Sequence, residues 1–186
     1  NTTNPAQSIF PQTVNVSDHV RGNFQGPVTA VVYSDFECPF CQRFQDALNQ
    51  ALREFPQDLR IVYRNFPLSF HEHALVAAEA AECAGKVGNP SSYMTMHDAL
   101  FAQASTVGLT DSTWLTLARA QGLNEVSFQA CMNSHETLPK IQNDIATGQA
   151  SEVYRTPATF VNGVQVSGAV PYETLRQALV TAGAQH

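Results

Sequence analysis

Residues 38–41 read Cys38-Pro39-Phe40-Cys41, and the chain on either side decides what they are. Upstream, Val28-Thr29-Ala30-Val31-Val32-Tyr33 is a nearly continuous apolar run, the pattern of a strand covered on both faces. Downstream, Phe44, Ala47, Leu48, Ala51, Leu52 and Phe55 recur at helical spacing, and Pro56 ends the run. A proline at the first position of a helix loses nothing by lacking an N–H. Pro39 therefore places Cys38 at the N-cap and Cys41 one turn inside, on the same face. Unpaired N–H groups and the positive end of the helix dipole stabilise a thiolate at that cap. Two cysteines at this spacing can close a disulfide ring, bind a metal or stay as reduced thiols. The strand-to-helix junction favours redox chemistry, with Cys38 as attacking sulfur and Cys41 as resolving thiol.

Working outward, Leu59 to Tyr63 is β-branched and aromatic, a second core strand, so this part reads strand, helix, strand with a parallel pair. From His71 to about Thr147 the pattern is helical. One helix is expected from His71 to Lys86, and others over Tyr93 to Gln103, up to Ala120, after Asn124, and from about Glu136 to Ala150. The β pattern then returns as Ala158 to Val161 and Val164 to Ser167, joined by Asn162-Gly163, a strong hairpin-turn signal. Pro171 opens a last amphipathic helix. Near the start, Thr13 to Val16 alternates like a short edge strand, and Asp18 to Pro27, with two glycines and a proline, reads as a loop. The class is α/β. The expected division is an N-terminal tail over 1–12, a β-containing domain over 13–68 and 151–186, and an all-helical insertion over 69–150.

The chain has 186 residues, 44% hydrophobic and 14% charged, which suits a globular protein. A net charge of -6 gives no basic footprint for nucleic acid or an anionic membrane. No apolar run approaches the roughly 20 residues that span a bilayer. Asn1 to Ser8 is polar and unpatterned, as expected of a mature or trimmed chain.

Cys83 and Cys131 remain, and four cysteines allow three connectivities. In an oxidising compartment this pair is expected to form a structural disulfide between two helices of the insertion. In a reducing compartment the two would be buried thiols. His71-Glu72-His73 invites a metal reading, but i and i+2 point to different faces of a helix, so an exposed helix start is expected. Zinc at Cys38 and Cys41 would need two more ligands, and none stands at a recognisable spacing. No metal and no cofactor is expected.

Four stretches together resemble the DsbA-like thiol oxidoreductases, a thioredoxin fold with an inserted all-helical domain, and especially the branch that includes the Gram-positive oxidases. They are Tyr33-Ser34-Asp35-Phe36-Glu37-Cys38-Pro39-Phe40-Cys41, Tyr63-Arg64-Asn65-Phe66-Pro67-Leu68, Ala80-Ala81-Glu82-Cys83-Ala84, and Thr156-Pro157-Ala158-Thr159-Phe160-Val161-Asn162-Gly163. The resemblance implies that Thr156-Pro157 is a cis bond beside the active-site cysteines. There the backbone of Thr156 can dock an extended client segment. It implies a dithiol–disulfide oxidoreductase that oxidises reduced or unfolded client proteins through a mixed disulfide at Cys38. It also implies reoxidation by a membrane quinone-linked partner, DsbB-like or VKOR-like. The expected setting is extracytoplasmic: periplasmic, or membrane-tethered and facing outward with signal or anchor removed. No dimerisation segment is evident, so a monomer is expected. A reductase or isomerase on the same site is the first alternative. A non-catalytic metal- or peptide-binding protein on the scaffold is the second. Two departures stand out. The buried acid that many thioredoxin-fold proteins place before the first cysteine falls here at Val32; Asp35 and Glu37 are nearby but do not occupy that position, which leaves water or one of these acids to replace it. The dipeptide Pro39-Phe40 replaces Pro-His, so no histidine cation assists the thiolate and a milder oxidant is expected.

Overall fold

The computed structural model describes residues 13–185, so the expected tail over 1–12 lies outside the described residues. The strands are β1 (His19–Gly22), β2 (Val28–Ser34), β3 (Leu59–Asn65), β4 (Ala158–Val161) and β5 (Val164–Ser167). They form one sheet in the order β1-β3-β2-β4-β5. Among the described strands only β2 and β3 run parallel, with Val28 opposite Leu59 and Ser34 opposite Asn65. The other three pairings are antiparallel. Asn162 and Gly163 turn the β4–β5 hairpin with φ of 45° and 85°. These two left-handed positions are what a two-residue turn needs to match the strand twist.

The helix α1 (Pro39–Glu54) connects β2 to β3, and α7 (Tyr172–Thr181) closes the chain. Both pack on one face of the sheet, where Val28, Ala30, Val32, Ile61 and Val161 meet Phe44, Leu48, Phe55, Leu175 and Leu179. The opposite face carries Val31, Tyr33, Val62, Phe66 and Phe160. Five helices lie in sequence between β3 and β4: α2 (Ala74–Val87), α3 (Pro90–Thr106), α4 (Thr113–Ala120), α5 (Glu125–Asn133) and α6 (Leu138–Ala150). The last of them presses onto the second face at Gly148, where a Cβ would come within 2.8 Å of the Phe66 ring.

A disulfide between Cys83 and Cys131 joins α2 to α5, with the Cα atoms 5.9 Å apart. The apolar core around it holds Ala77, Ala80, Met96, Leu100, Trp114 and Phe128, and it continues without a break to Phe36, Cys38 and Cys41. The helical block is therefore part of the wall of the cysteine site. A polar seam runs alongside: Asn65 Nδ2 donates to Glu82 Oε1 at 2.7 Å, and the Asn65 N–H donates to Asp144 Oδ2 at 3.0 Å.

Two expectations need correction. Thr13 to Val16 is not a strand, and β1 lies instead within the stretch expected to be a loop. Tertiary contacts make it so: His19 stacks on Tyr93 with ring centroids 3.3 Å apart, and Arg64 holds the adjacent Asp18 in a buried ion pair at 2.9 Å. The second helix starts at Ala74 rather than His71, because carboxylates elsewhere in the fold claim residues 71–73, as described next.

Candidate active site

Cys38 is the N-cap of α1, with φ -72° and ψ 116°, and Pro39 is the first helical residue. A hydrogen bond from the Cys38 N–H to the Asp35 carbonyl, at 3.2 Å, closes the turn that leads in from β2. The Cys38 sulfur stands 3.4 Å from the carbonyl oxygen of Thr156, to which the thiol donates. The Thr156-Pro157 bond is cis. Cys38, Thr156 and Pro157, which sequence placed far apart, thus meet in one place.

The two thiols are pushed in opposite directions. Cys38 is drawn down to about 5, first because the Cys41 thiol donates to its thiolate. Burial opposes the shift, while the Thr156 side chain and the N–H groups of Cys41 and Phe40 add to it. Cys41 is raised well above the ordinary thiol range, first by burial and then by its hydrogen bond to Cys38 and the charge there. One thiolate and one thiol at the head of a helix is the charge state that dithiol–disulfide exchange requires.

Cys38 lines a groove of about 960 Å³, and Cys41 does not. Phe40, Phe70 and Tyr154 stand largely exposed along it. Arg43 lies over the Phe40 ring, its guanidinium carbon 4.7 Å from the centroid. Cys38 itself is 3% exposed, more enclosed than an N-cap position suggests, so its sulfur is reached along the groove.

Val32 is fully buried in the sheet core and no acid takes its place. Asp35 and Glu37 turn elsewhere. The buried Asp35 carboxylate accepts the N–H of Glu37 at 2.8 Å, the N–H of Leu68 at 2.8 Å, and His71 Nδ1 at 2.8 Å. Glu37 accepts the N–H of His73 at 2.5 Å and faces His73 Nδ1 at 3.2 Å. The two histidines thus anchor the 66–73 connection across the cysteine loop. In sequence the two histidines show neither metal-ligand spacing nor a common helix face. Their acidic partners lie more than 30 residues away, and no local signal joins them. Among the described residues no group of three or more His, Cys, Asp or Glu is placed to hold a metal ion.

A family model described as thioredoxin matches residues 14–180. The chain belongs to the thioredoxin family. Its fold is DsbA-like, with five helices between the third and fourth strands. The thiol-disulfide exchange protein alpha-DsbA2 of Wolbachia pipientis superposes with a TM-score of 0.79 at 20% identity, covering 90% of this chain and 88% of that one. A thioredoxin-like oxidoreductase of Silicibacter pomeroyi superposes with a TM-score of 0.78 at 28% identity, covering 96% and 98%. In sequence, the chain is 37% identical over 166 residues to the Na(+)/H(+) antiporter NhaA 1 of Salinispora arenicola, covering 89% of this chain and 24% of that protein. The chain thus spans about a quarter of the length of the curated relatives it matches. No helix among the described residues is long and apolar enough to cross a membrane.

Proposed function

We propose that this thioredoxin-family chain is an extracytoplasmic dithiol–disulfide oxidoreductase that works as an oxidase of reduced or unfolded client proteins. One observation carries the reading: the Cys38 sulfur stands at the N-cap of α1 beside Thr156, in surroundings that lower its pKa, while burial raises that of Cys41 behind it. In the oxidised protein a client thiolate attacks Cys38, the Cys38–Cys41 bond breaks, and its electron pair leaves on Cys41, which takes up a proton. A second client thiolate attacks the client sulfur of the mixed disulfide and expels Cys38 as a thiolate. A low pKa makes Cys38 a good leaving group and stabilises the reduced enzyme, which favours the oxidising direction. The value of about 5 lies between the roughly 7 of thioredoxin and the roughly 3.5 of DsbA, in keeping with a milder oxidant whose dipeptide lacks histidine.

The groove suits an extended client segment laid along Thr156 and Pro157, with apolar side chains against Phe40, Phe70 and Tyr154. The buried Cys83–Cys131 bond supports an oxidising compartment. Under this reading the chain acts as a monomer facing outward, and a membrane quinone-linked partner, DsbB-like or VKOR-like, restores the disulfide. Equilibrating the pair with glutathione buffers tests the direction. A potential between about -270 mV and about -120 mV, the thioredoxin and DsbA values, is expected. A value at or below that of thioredoxin would instead make the chain a reductase.

A further inference from the structure

We infer that His71 is the proton acceptor for client thiols entering the groove, acting through Nε2 with Asp35 as its positioning residue. The inference rests on the oxidoreductase reading above. His71 belongs to the connection between β3 and α2, and its ring lines the same groove as Cys38. Asp35 Oδ2 already accepts the Leu68 N–H and lies 2.8 Å from His71 Nδ1. A buried carboxylate accepts but does not donate, so the proton of a neutral imidazole resides on Nδ1 and Nε2 keeps its lone pair. Nε2 has no hydrogen-bond partner among the described residues and is not sealed from solvent. Asp35 also ties this ring to the catalytic turn, because its own carbonyl accepts the Cys38 N–H. The ring is thus fixed relative to the sulfur by one residue, and a T-shaped contact with Phe70 at 4.6 Å supports it. The other titratable or charged groups facing the groove are Cys38 from the head of α1 and Glu152, Tyr154 and Arg155 from the α6–β4 connection. Glu152 and Arg155 are exposed and opposite in charge.

Val32 leaves the sheet without an acid, and Cys38 needs no base because it is already a thiolate when reduced. The proton that has to move is the client's. An ordinary thiol is only about 3% ionised at pH 7. In the proposed step the client S–H proton passes to His71 Nε2 and the electron pair forms the bond to Cys38 Sγ. The Cys38–Cys41 bond breaks, and Cys41 keeps that pair and takes one proton from water, while His71 returns one proton to water. The second client thiol loses its proton by the same route, and Cys38 departs as a thiolate. Two client thiols and one enzyme disulfide give one client disulfide, one thiol, one thiolate and one proton.

Stopped-flow oxidation of a single-cysteine peptide, across pH 6 to 9.5, compares the protein with His71→Asn. The amide nitrogen of asparagine can keep the tie to Asp35 but supplies no second base. The same runs use thionitrobenzoate, an aromatic thiol that is already ionised at neutral pH. The expected result is a loss of about tenfold with the peptide at pH 7, within the roughly 30-fold that a base can recover there. The loss shrinks to none above pH 9, and thionitrobenzoate reacts at an unchanged rate throughout. Equal peptide rates for both proteins at pH 7 overturn the assignment. So does a loss that is equal for both thiols at every pH, which would mark a structural role. Absence of exchange by the unaltered protein with either thiol would overturn the oxidoreductase reading itself, and the proton route with it.

Discussion

The two cysteine pairs are equally buried and chemically opposite. Cys38 and Cys41 are 3% and 0% exposed, while Cys83 and Cys131 are 0% and 3% exposed. All four belong to one apolar core. Burial therefore does not decide which pair reacts. The difference lies in polar surroundings and access. Cys38 has a helix start, the Cys41 thiol, Thr156 and a groove around it. Cys83 has the Thr137 hydroxyl as a polar neighbour at 3.9 Å, and neither Cys83 nor Cys131 lines the groove onto which Cys38 opens. The same side chain becomes a reagent in one place and a staple in the other.

The contrast is sharpest in exchanged substitutions. Cys38→Ala is expected to reduce thiol exchange with a client peptide to background, because no other thiolate faces the groove, and to leave the melting temperature of the reduced protein nearly unchanged at pH 5, where the ionised Cys38 adds little stability. Exchange surviving in that variant would give the reaction to another sulfur. The double change Cys83→Ala and Cys131→Ala should do the reverse. The bond closes a loop with a sequence separation of 48, for which the chain-entropy model gives about 4 kcal/mol. That corresponds to a fall of about 10 °C in melting temperature for a protein of this size. The exchange rate should stay within about twofold, since the staple supplies no group to the groove. An unchanged melting temperature would mean that the bridge is idle.

Proton linkage adds an effect that belongs to one pair only. In the reduced protein Cys38 ionises near 5 when folded and near 8.5 when unfolded. Between these values the unfolded chain holds the extra proton. The stabilisation from Cys38 is thus complete above the unfolded pKa and is lost as pH falls through the folded one. Cys41, raised by folding, has the opposite sign and acts only at more alkaline pH, where its contribution is lost as pH rises. The oxidised protein has neither group to titrate. The urea midpoint of the reduced form, relative to the oxidised form, should therefore climb from pH 5 to about 8.5. A flat difference would contradict the assigned ionisation.

Much of this contrast was legible in the sequence, and its gaps have a common cause. Cys38-Pro39-Phe40-Cys41 between an apolar strand and an amphipathic helix marks the N-cap, because capping and periodicity are local. Ala158 to Ser167 reads out the hairpin to the residue, since Asn162-Gly163 fixes turn and register together. His19 to Gly22 gives no such sign. It is polar and short, and what orders it is Tyr93, Glu82 and Asp98, all brought up by the helical block. The Asp35–His71 and Glu37–His73 pairs were hidden for the same reason: each partner looks ordinary in its own stretch, and only the fold sets the two side by side.

The central claim is that Cys38 alone is poised to react. It is tested most directly by the pH dependence of iodoacetamide labelling of the reduced protein, with each labelled cysteine located by mass spectrometry. The expected profile shows labelling at Cys38 with a midpoint near 5, none at Cys41 below pH 9, and none at Cys83 or Cys131 at any pH in the folded protein. Labelling of Cys41 first, or a Cys38 midpoint at the ordinary thiol value, would contradict the account.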